Sequence, residues 1–106
     1  MAVIKAVMKQ TAIDDLNAIW NYTFTVWSEK QADQYYAGIK KTCLELGKNL
    51  RRGKSYAHIL PGLYACKFKR HLIFYQFLDT SEIEVIRILH EQMDVAHRLI
   101  DMNQTK

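Results

Sequence analysis

Proline is nearly absent from this 106-residue chain, with Pro61 alone, and glycine is scarce at four residues. That excludes collagen-like, proline-rich and glycine-rich low-complexity chains. Cysteine is limited to Cys43 and Cys66, which lack zinc-type spacing and are too few for a disulfide framework. No apolar run approaches the roughly 18 residues that a membrane-spanning helix needs. The opening Met1-Ala2-Val3-Ile4-Lys5-Ala6-Val7-Met8 is too short for a signal peptide and carries its charge in the wrong place. The glycines are scattered, and Gly53 precedes no helix, so no phosphate-cradling loop is present. His58, His71, His90 and His97 have neither CxxC partners nor HExxH spacing, so neither a metal nor a cofactor is expected. Cys66 and His71 lie near one another in sequence, but Cys66 falls on the apolar side of its strand and reads as a small buried hydrophobe. The expectation from these absences is a soluble, cytoplasmic, single domain over residues 1–106 with reduced thiols.

Acidic residues are missing from one continuous third of the chain. Between Glu45 and Asp79 stand Lys48, Arg51, Arg52, Lys54, Lys67, Lys69 and Arg70, seven of the fifteen bases, and no Asp or Glu. The rest of the chain holds eight bases against eleven acids, so the +4 net charge originates entirely in this window. Such a patch draws polyanions or an acidic protein partner, or is a solvated basic loop. Hydrophobic residues make up 49% of the chain and charged residues 25%, enough for one modest core and too apolar for a disordered chain.

The apolar, β-branched run Val3 to Met8 predicts a first strand. Thr11 offers a helix N-cap, with Asp14 suited to the first-turn dipole. Ala12, Leu16, Ile19, Thr23 and Trp27, widened by Ile13 and Trp20, then predict a helix of about four turns. Ser28 to Gln31 reads as a capping box. Behind it Ala32, Tyr35, Tyr36, Ile39, Cys43, Leu46 and Leu50 share one face of a second helix, frayed near Gly47. The tight junction predicts an antiparallel helical hairpin. Arg51 to Gly62 reads as loop, ending on the turn dipeptide Pro61-Gly62. Tyr64, Cys66 and Phe68 alternate with Ala65, Lys67 and Lys69, a half-buried strand with one basic face. His71 to Leu78 is apolar on both faces, as a central strand is. Asp79 to Glu82 supplies turn chemistry before a third β-rich run, Ile83 to Leu89. The tail from Asp94 to Met102 forms a short helix or frays. The order β-α-α-β-β-β predicts an α+β fold, a helical hairpin packed on an antiparallel sheet.

Candidate functional residues gather at one end of that sheet. Lys67 and Lys69 share a strand face, Arg70 and His71 sit at the turn, and Arg87 lies mid-strand with His90 at the end. An arginine between Ile86 and Ile88 is expensive to bury unpaired. It reaches an edge, finds a carboxylate such as Glu84 or Asp94, or faces a binding surface. His90 reads either as a hydrogen-bonded strand-end histidine or as a titrating group. Trp20, Trp27, Tyr35 and Tyr36 fall on helical stripes, and core packing accounts for most of them.

Pro61-Gly62-Leu63-Tyr64, Leu72-Ile73-Phe74-Tyr75 and Val85-Ile86-Arg87-Ile88-Leu89-His90 with Met93-Asp94 together resemble the RelE/ParE toxin superfamily of bacterial toxin–antitoxin systems. Ala12-Ile13-Asp14-Asp15-Leu16 and Ile19-Trp20-Asn21-Tyr22 are similar to its first helix, so the likeness covers about residues 3 to 95. The resemblance implies one of two functions. RelE-like members are ribosome-dependent mRNA endonucleases, which need cations around the cleaved phosphate and an acid/base residue near the last strand. ParE-like members poison DNA gyrase by stabilising its cleavage complex with DNA. Here His90 stands where nucleases often carry a catalytic His, but Glu91 follows it where some of them have Tyr, and His71 precedes Leu72 with Arg70 one place earlier, so the nuclease arginine is displaced or missing. The Leu-His-x-x-Met-Asp ending and long paired helices look more like ParE. The implied function is therefore a non-enzymatic toxin acting in growth arrest and plasmid stabilisation. Its implied partners are the gyrase A subunit and a ParD-type antitoxin, with nucleic acid met only through gyrase and no membrane. Partner-binding residues on this reading are Lys67, Lys69, Arg70, Arg87 and His90, with Arg51, Arg52 and Lys54 in the basic loop. The alternative, a ribosome-dependent nuclease, makes Arg70, His71, Arg87 and His90 catalytic.

Overall fold

The computed structural model describes residues 5–46, 53–79 and 82–104. Its elements run β1 (Lys5–Met8), α1 (Gln10–Val26), α2 (Glu29–Leu46), β2 (Lys54–Ser55), β3 (Leu63–Phe68), β4 (His71–Asp79), β5 (Glu82–His90) and α3 (Val95–Gln104). The five strands form one mixed sheet in the order β1-β5-β4-β3-β2. β3, β4 and β5 are the antiparallel meander that the alternating runs predict, with Phe68 opposite His71 and His71 opposite His90. β1 pairs in parallel with β5, from Lys5 against Glu82 to Met8 against Val85. β4 occupies the middle of the sheet because its residues are apolar on both faces, and Ile73, Phe74 and Tyr75 are all buried.

Two cores flank the sheet. The helical hairpin covers one face, with Ala12, Leu16, Ile39, Cys43 and Leu46 set against Cys66, Ile73, Tyr75, Ile83, Val85 and Ile88. α2 comes so close to β3 at Gly38 that a Cβ there would strike the Phe68 ring. Leu63, Ala65, Phe74, Ile86 and Leu89 point to the other face, where Leu99 of α3 closes a second core. A bulge between Phe74 and Tyr75 shifts the register with β5 and breaks its alternation, so that Val85 and Ile88, three residues apart, serve the same core.

The hairpin, its Ser28 cap (Gln31 N–H to Ser28 Oγ, 3.1 Å) and the central strand follow the sequence reading. Several expectations are corrected. α1 is capped at Lys9 without a side-chain bond, and the Thr11 hydroxyl instead donates to the Ile86 carbonyl at 2.6 Å. The stretch read as loop contains β2, which pairs Lys54 with Ala65 and Ser55 with Tyr64. β3 has no basic face, since Ala65 is buried in the second core, and Lys69 lies in the turn, not on the strand. Lys69 adopts φ 52, the left-handed conformation of tight hairpins, at a cost of order 1 kcal/mol for a residue with a Cβ. The tail, read as a short helix or a frayed end, is a ten-residue helix that adds Leu99 and Val95 to the second core. Trp27, expected on the buried stripe, is 69% exposed. Expectations for Val3, Ile4, Gly47, Lys48, Leu50, Arg51 and Arg52 fall outside the described residues.

Candidate partner-binding groove

A groove of about 740 Å³ is lined by α1, the end of β5 and the β3–β4 turn. Its floor is Ile88, Leu89 and His90 of β5, and one wall is Ile19, Tyr22 and Trp27. Lys69, Arg70 and His71 of the β3–β4 turn form the opposite rim, with Met93 and Arg98 at the open end. The groove therefore combines an apolar, aromatic lining with a cationic rim.

Asp15 closes the inner end. Arg87 Nε donates to Asp15 Oδ2 at 2.7 Å and Arg87 Nη2 to Asp15 Oδ1 at 2.9 Å, a bidentate pair. Asp15 Oδ2 also accepts the Ile88 backbone N–H at 2.9 Å, an edge group beyond the reach of β1. The bonds from Asp15 raise the affinity of the Arg87 guanidinium for its proton, against the opposing effect of burial. This answers the question of the mid-strand arginine: it finds a carboxylate. Neither Glu84 nor Asp94 is that partner, because Glu84 accepts from Gln76 Nε2 at 3.4 Å and Asp94 caps α3 by accepting the His97 N–H.

The imidazoles lie side by side, His71 and His90 edge to face with centroids 5.2 Å apart. The Tyr35 hydroxyl and His71 Nδ1 share a hydrogen bond of 2.7 Å, whose direction follows the tautomer of the imidazole. Burial above all, with the neighbouring His90, pushes the His71 pKa down to about 4, and Glu91 opposes that shift only weakly. Burial likewise raises the Tyr35 phenol. His90 Nδ1 accepts the Gln92 N–H at 3.1 Å. Beside them Glu91 receives Lys67 Nζ at 2.9 Å and faces Arg70 Nη1 at 3.9 Å, and the Lys67 bond holds its carboxyl below the usual range. Lys69 Nζ stands over the Tyr35 and Phe68 rings at 5.7 and 5.6 Å.

Of the residues singled out from sequence, Lys69, Arg70, His71, Arg87 and His90 meet in this groove, and Lys67 joins its rim through Glu91. Lys54 lies apart, on the far edge strand β2. Arg51 and Arg52 are outside the described residues. Sequence reasoning missed Asp15, Tyr35 and the apolar wall. A signal for Asp15 existed, since a carboxylate three residues from Ala12 and four from Ile19 sits on the buried face of the helix and needs a partner. Among the described residues no group of three or more His, Cys, Asp or Glu side chains could hold a metal ion. No described helix is long and apolar enough to cross a membrane.

Three comparisons bear on this arrangement. The family described as the ParE toxin of the type II toxin–antitoxin system parDE matches residues 7–95. Toxin ParE1 of Mycobacterium tuberculosis is 32% identical over 84 residues, covering 79% of this chain and 86% of its own length. A chain from the chromosomal ParDE system of P. aeruginosa superposes with a TM-score of 0.71 at 17% identity, over 83% of this chain and 96% of that one. A chain of the RelBE2 toxin–antitoxin complex of M. tuberculosis gives 0.65 at 18% identity, over 84% and 99%. The two solved structures speak for the fold, and the family match and the 32% relative for kinship: the chain belongs to the ParE toxin family of type II toxin–antitoxin systems.

Proposed function

We propose that this toxin acts without catalysis, poisoning DNA gyrase by stabilising the cleaved enzyme–DNA complex, and that a ParD-type antitoxin holds it off by occupying the groove. The observation that carries this reading is the engagement of the groove's ionic groups by the protein itself. Arg87 is locked by Asp15, Lys67 and Arg70 face Glu91, and His71 is held neutral by burial while its Nδ1 is taken by Tyr35. Phosphoryl chemistry requires cations aimed at the developing charge, and here Arg87, Lys67 and Arg70 face carboxylates of the same chain. What the groove offers instead is an apolar, aromatic wall with a basic rim, which suits an acidic, apolar-anchored segment that folds as it binds.

The deciding experiment incubates the antitoxin-free toxin with gyrase, ATP and supercoiled plasmid, followed by detergent and protease. Gyrase-dependent linear DNA is the expected result. Intact plasmid, from a preparation that still arrests growth, overturns the reading. The nuclease alternative has its own support in the paired imidazoles of His71 and His90 inside a cationic groove. Under that alternative His90→Ala lowers mRNA cleavage on translating ribosomes by orders of magnitude. Under the proposed function His90→Ala remains toxic.

A further inference from the structure

A second hollow, of about 470 Å³, lies on the seam between α1 and α2 and shares no residue with the groove. It is lined by Asn17, Trp20, Asn21, Asp33 and Tyr36. By helical periodicity Asn17, Trp20 and Asn21 occupy the arc of α1 turned away from Asp15, Ala18 and Tyr22, which face the groove. The fold makes little use of this arc. Phe24 is 46% exposed and stacks on Trp20 with centroids 5.2 Å apart and planes 17° from parallel. An exposed phenyl ring stacked on a half-buried indole at a helical hairpin is the kind of surface that marks recognition.

The polar groups of the hollow define what it recognises. Trp20 Nε1–H donates to Asp33 Oδ1 at 2.9 Å, fixing the carboxylate against the indole and leaving Oδ2 without a protein partner among the described residues. Asn17 and Asn21, one turn apart, add side-chain carbonyl acceptors. Tyr36 already draws a cation to its ring, since Lys40 Nζ stands 5.6 Å from the centroid. A carboxylate, amide acceptors and two aromatic rings suit a planar, multiply donating cation, and the arginine guanidinium is the side chain with that form. An anion is repelled by Asp33, and an ammonium has no plane to lay on the rings.

We propose that this hollow receives an arginine side chain displayed by the toxin's target. The assignment of that target to gyrase rests on the function proposed above. The toxin then has two separate faces, a basic groove for its antitoxin and an acidic aromatic hollow for its target. The charge of Asp33 is complementary to the arginine, and Asp33→Asn keeps an acceptor for Trp20 while removing that charge.

Two measurements test this. In the first, N-acetyl-arginine N-methylamide is titrated into the full chain while the Trp20 indole N–H resonance is followed. A saturable shift at millimolar probe is expected, lost in Asp33→Asn and weaker with the lysine analogue. No saturable shift, or an equal one in Asp33→Asn, overturns the site. In the second, Asp33→Lys is compared with wild type for gyrase-dependent linear DNA and for antitoxin affinity. The expected result is that about tenfold more of the variant toxin is needed for half-maximal cleavage, with antitoxin affinity unchanged. Full poisoning by Asp33→Lys, or loss of antitoxin binding alone, overturns the assignment to the target. Wild-type toxin that yields no linear DNA refutes the gyrase reading instead, and the probe titration still decides the site.

Discussion

Removing the Asp15 carboxylate is the sharpest perturbation that the fold allows. Its side chain is 16% exposed and its partner Arg87 17%, so the pair is mostly desolvated. Asp15→Ala deletes two charge-assisted bonds to Arg87 and the acceptor of the Ile88 N–H. Stranding one member of a fully buried pair costs about 3–5 kcal/mol, and the residual exposure of Arg87 reduces that. An orphaned backbone N–H adds about 1 kcal/mol. The expected loss is about 3 kcal/mol, a large share of the roughly 5–15 kcal/mol that holds a domain together. At about 4–8 °C per kcal/mol for a chain of this size, Tm falls by about 12–24 °C. Urea unfolding followed by circular dichroism measures the loss directly. Because most of it is the stranded charge, Asp15→Ala/Arg87→Met recovers about 1–2 kcal/mol relative to Asp15→Ala alone. A loss below about 1 kcal/mol, or a double variant no more stable than the single one, refutes the argument that this pair braces α1 to β5.

Other consequences are equally open to measurement. The His71 pKa is depressed from its ordinary 6.5 to about 4, so the unfolded chain binds the proton more readily. The stability linked to His71 is therefore complete above about pH 6.5 and declines as pH falls toward 4. Urea midpoints taken between pH 7.5 and 4.5 should show this slope, diminished in His71→Gln; identical slopes would refute it. Leu99→Ala, in the second core, should cost about 2–4 kcal/mol in the same assay, whereas a frayed tail would show almost no change. Reversal of Lys67, Lys69 and Arg70 to Glu should weaken antitoxin binding and flatten its salt dependence; unchanged affinity across a salt series counts against the basic rim as the antitoxin's seat.

The legible parts of the fold are those in which one physical rule dominates. Apolar spacing specifies α2 from Ala32 to Leu46, and continuous hydrophobicity places His71 to Leu78 at the centre of the sheet. Other features depend on partners far along the chain. Ala65 looks like the solvent side of an alternating strand until α3 supplies Leu99 against it. Thr11 reads as a cap because its local chemistry favours one, yet the Ile86 carbonyl, 75 residues away, takes its hydroxyl. β2 is too short at two residues to leave a periodic signal. In the groove the five cationic and imidazole residues that meet were visible as types, but their pairing was not. Arg87 had several nearby carboxylates in sequence, and the one it uses is 72 positions away.

The parallel pairing of β1 with β5 has a consequence for how the toxin comes into being. Lys5–Met8 can dock only against Glu82–Val85, and the Asp15 brace waits for Arg87 and Ile88. Contacts of such long sequence separation form slowly, because the loop-closure entropy must be overcome before they give any return. On a growing chain the hairpin and the first meander strands are made before their edge partner exists. A nascent or truncated product that ends before residue 82 lacks the strand that lines the groove and pairs with both β1 and β4. Completion of the groove therefore waits on the synthesis of β5, and the hairpin that precedes it carries Asp15 without its partner until then.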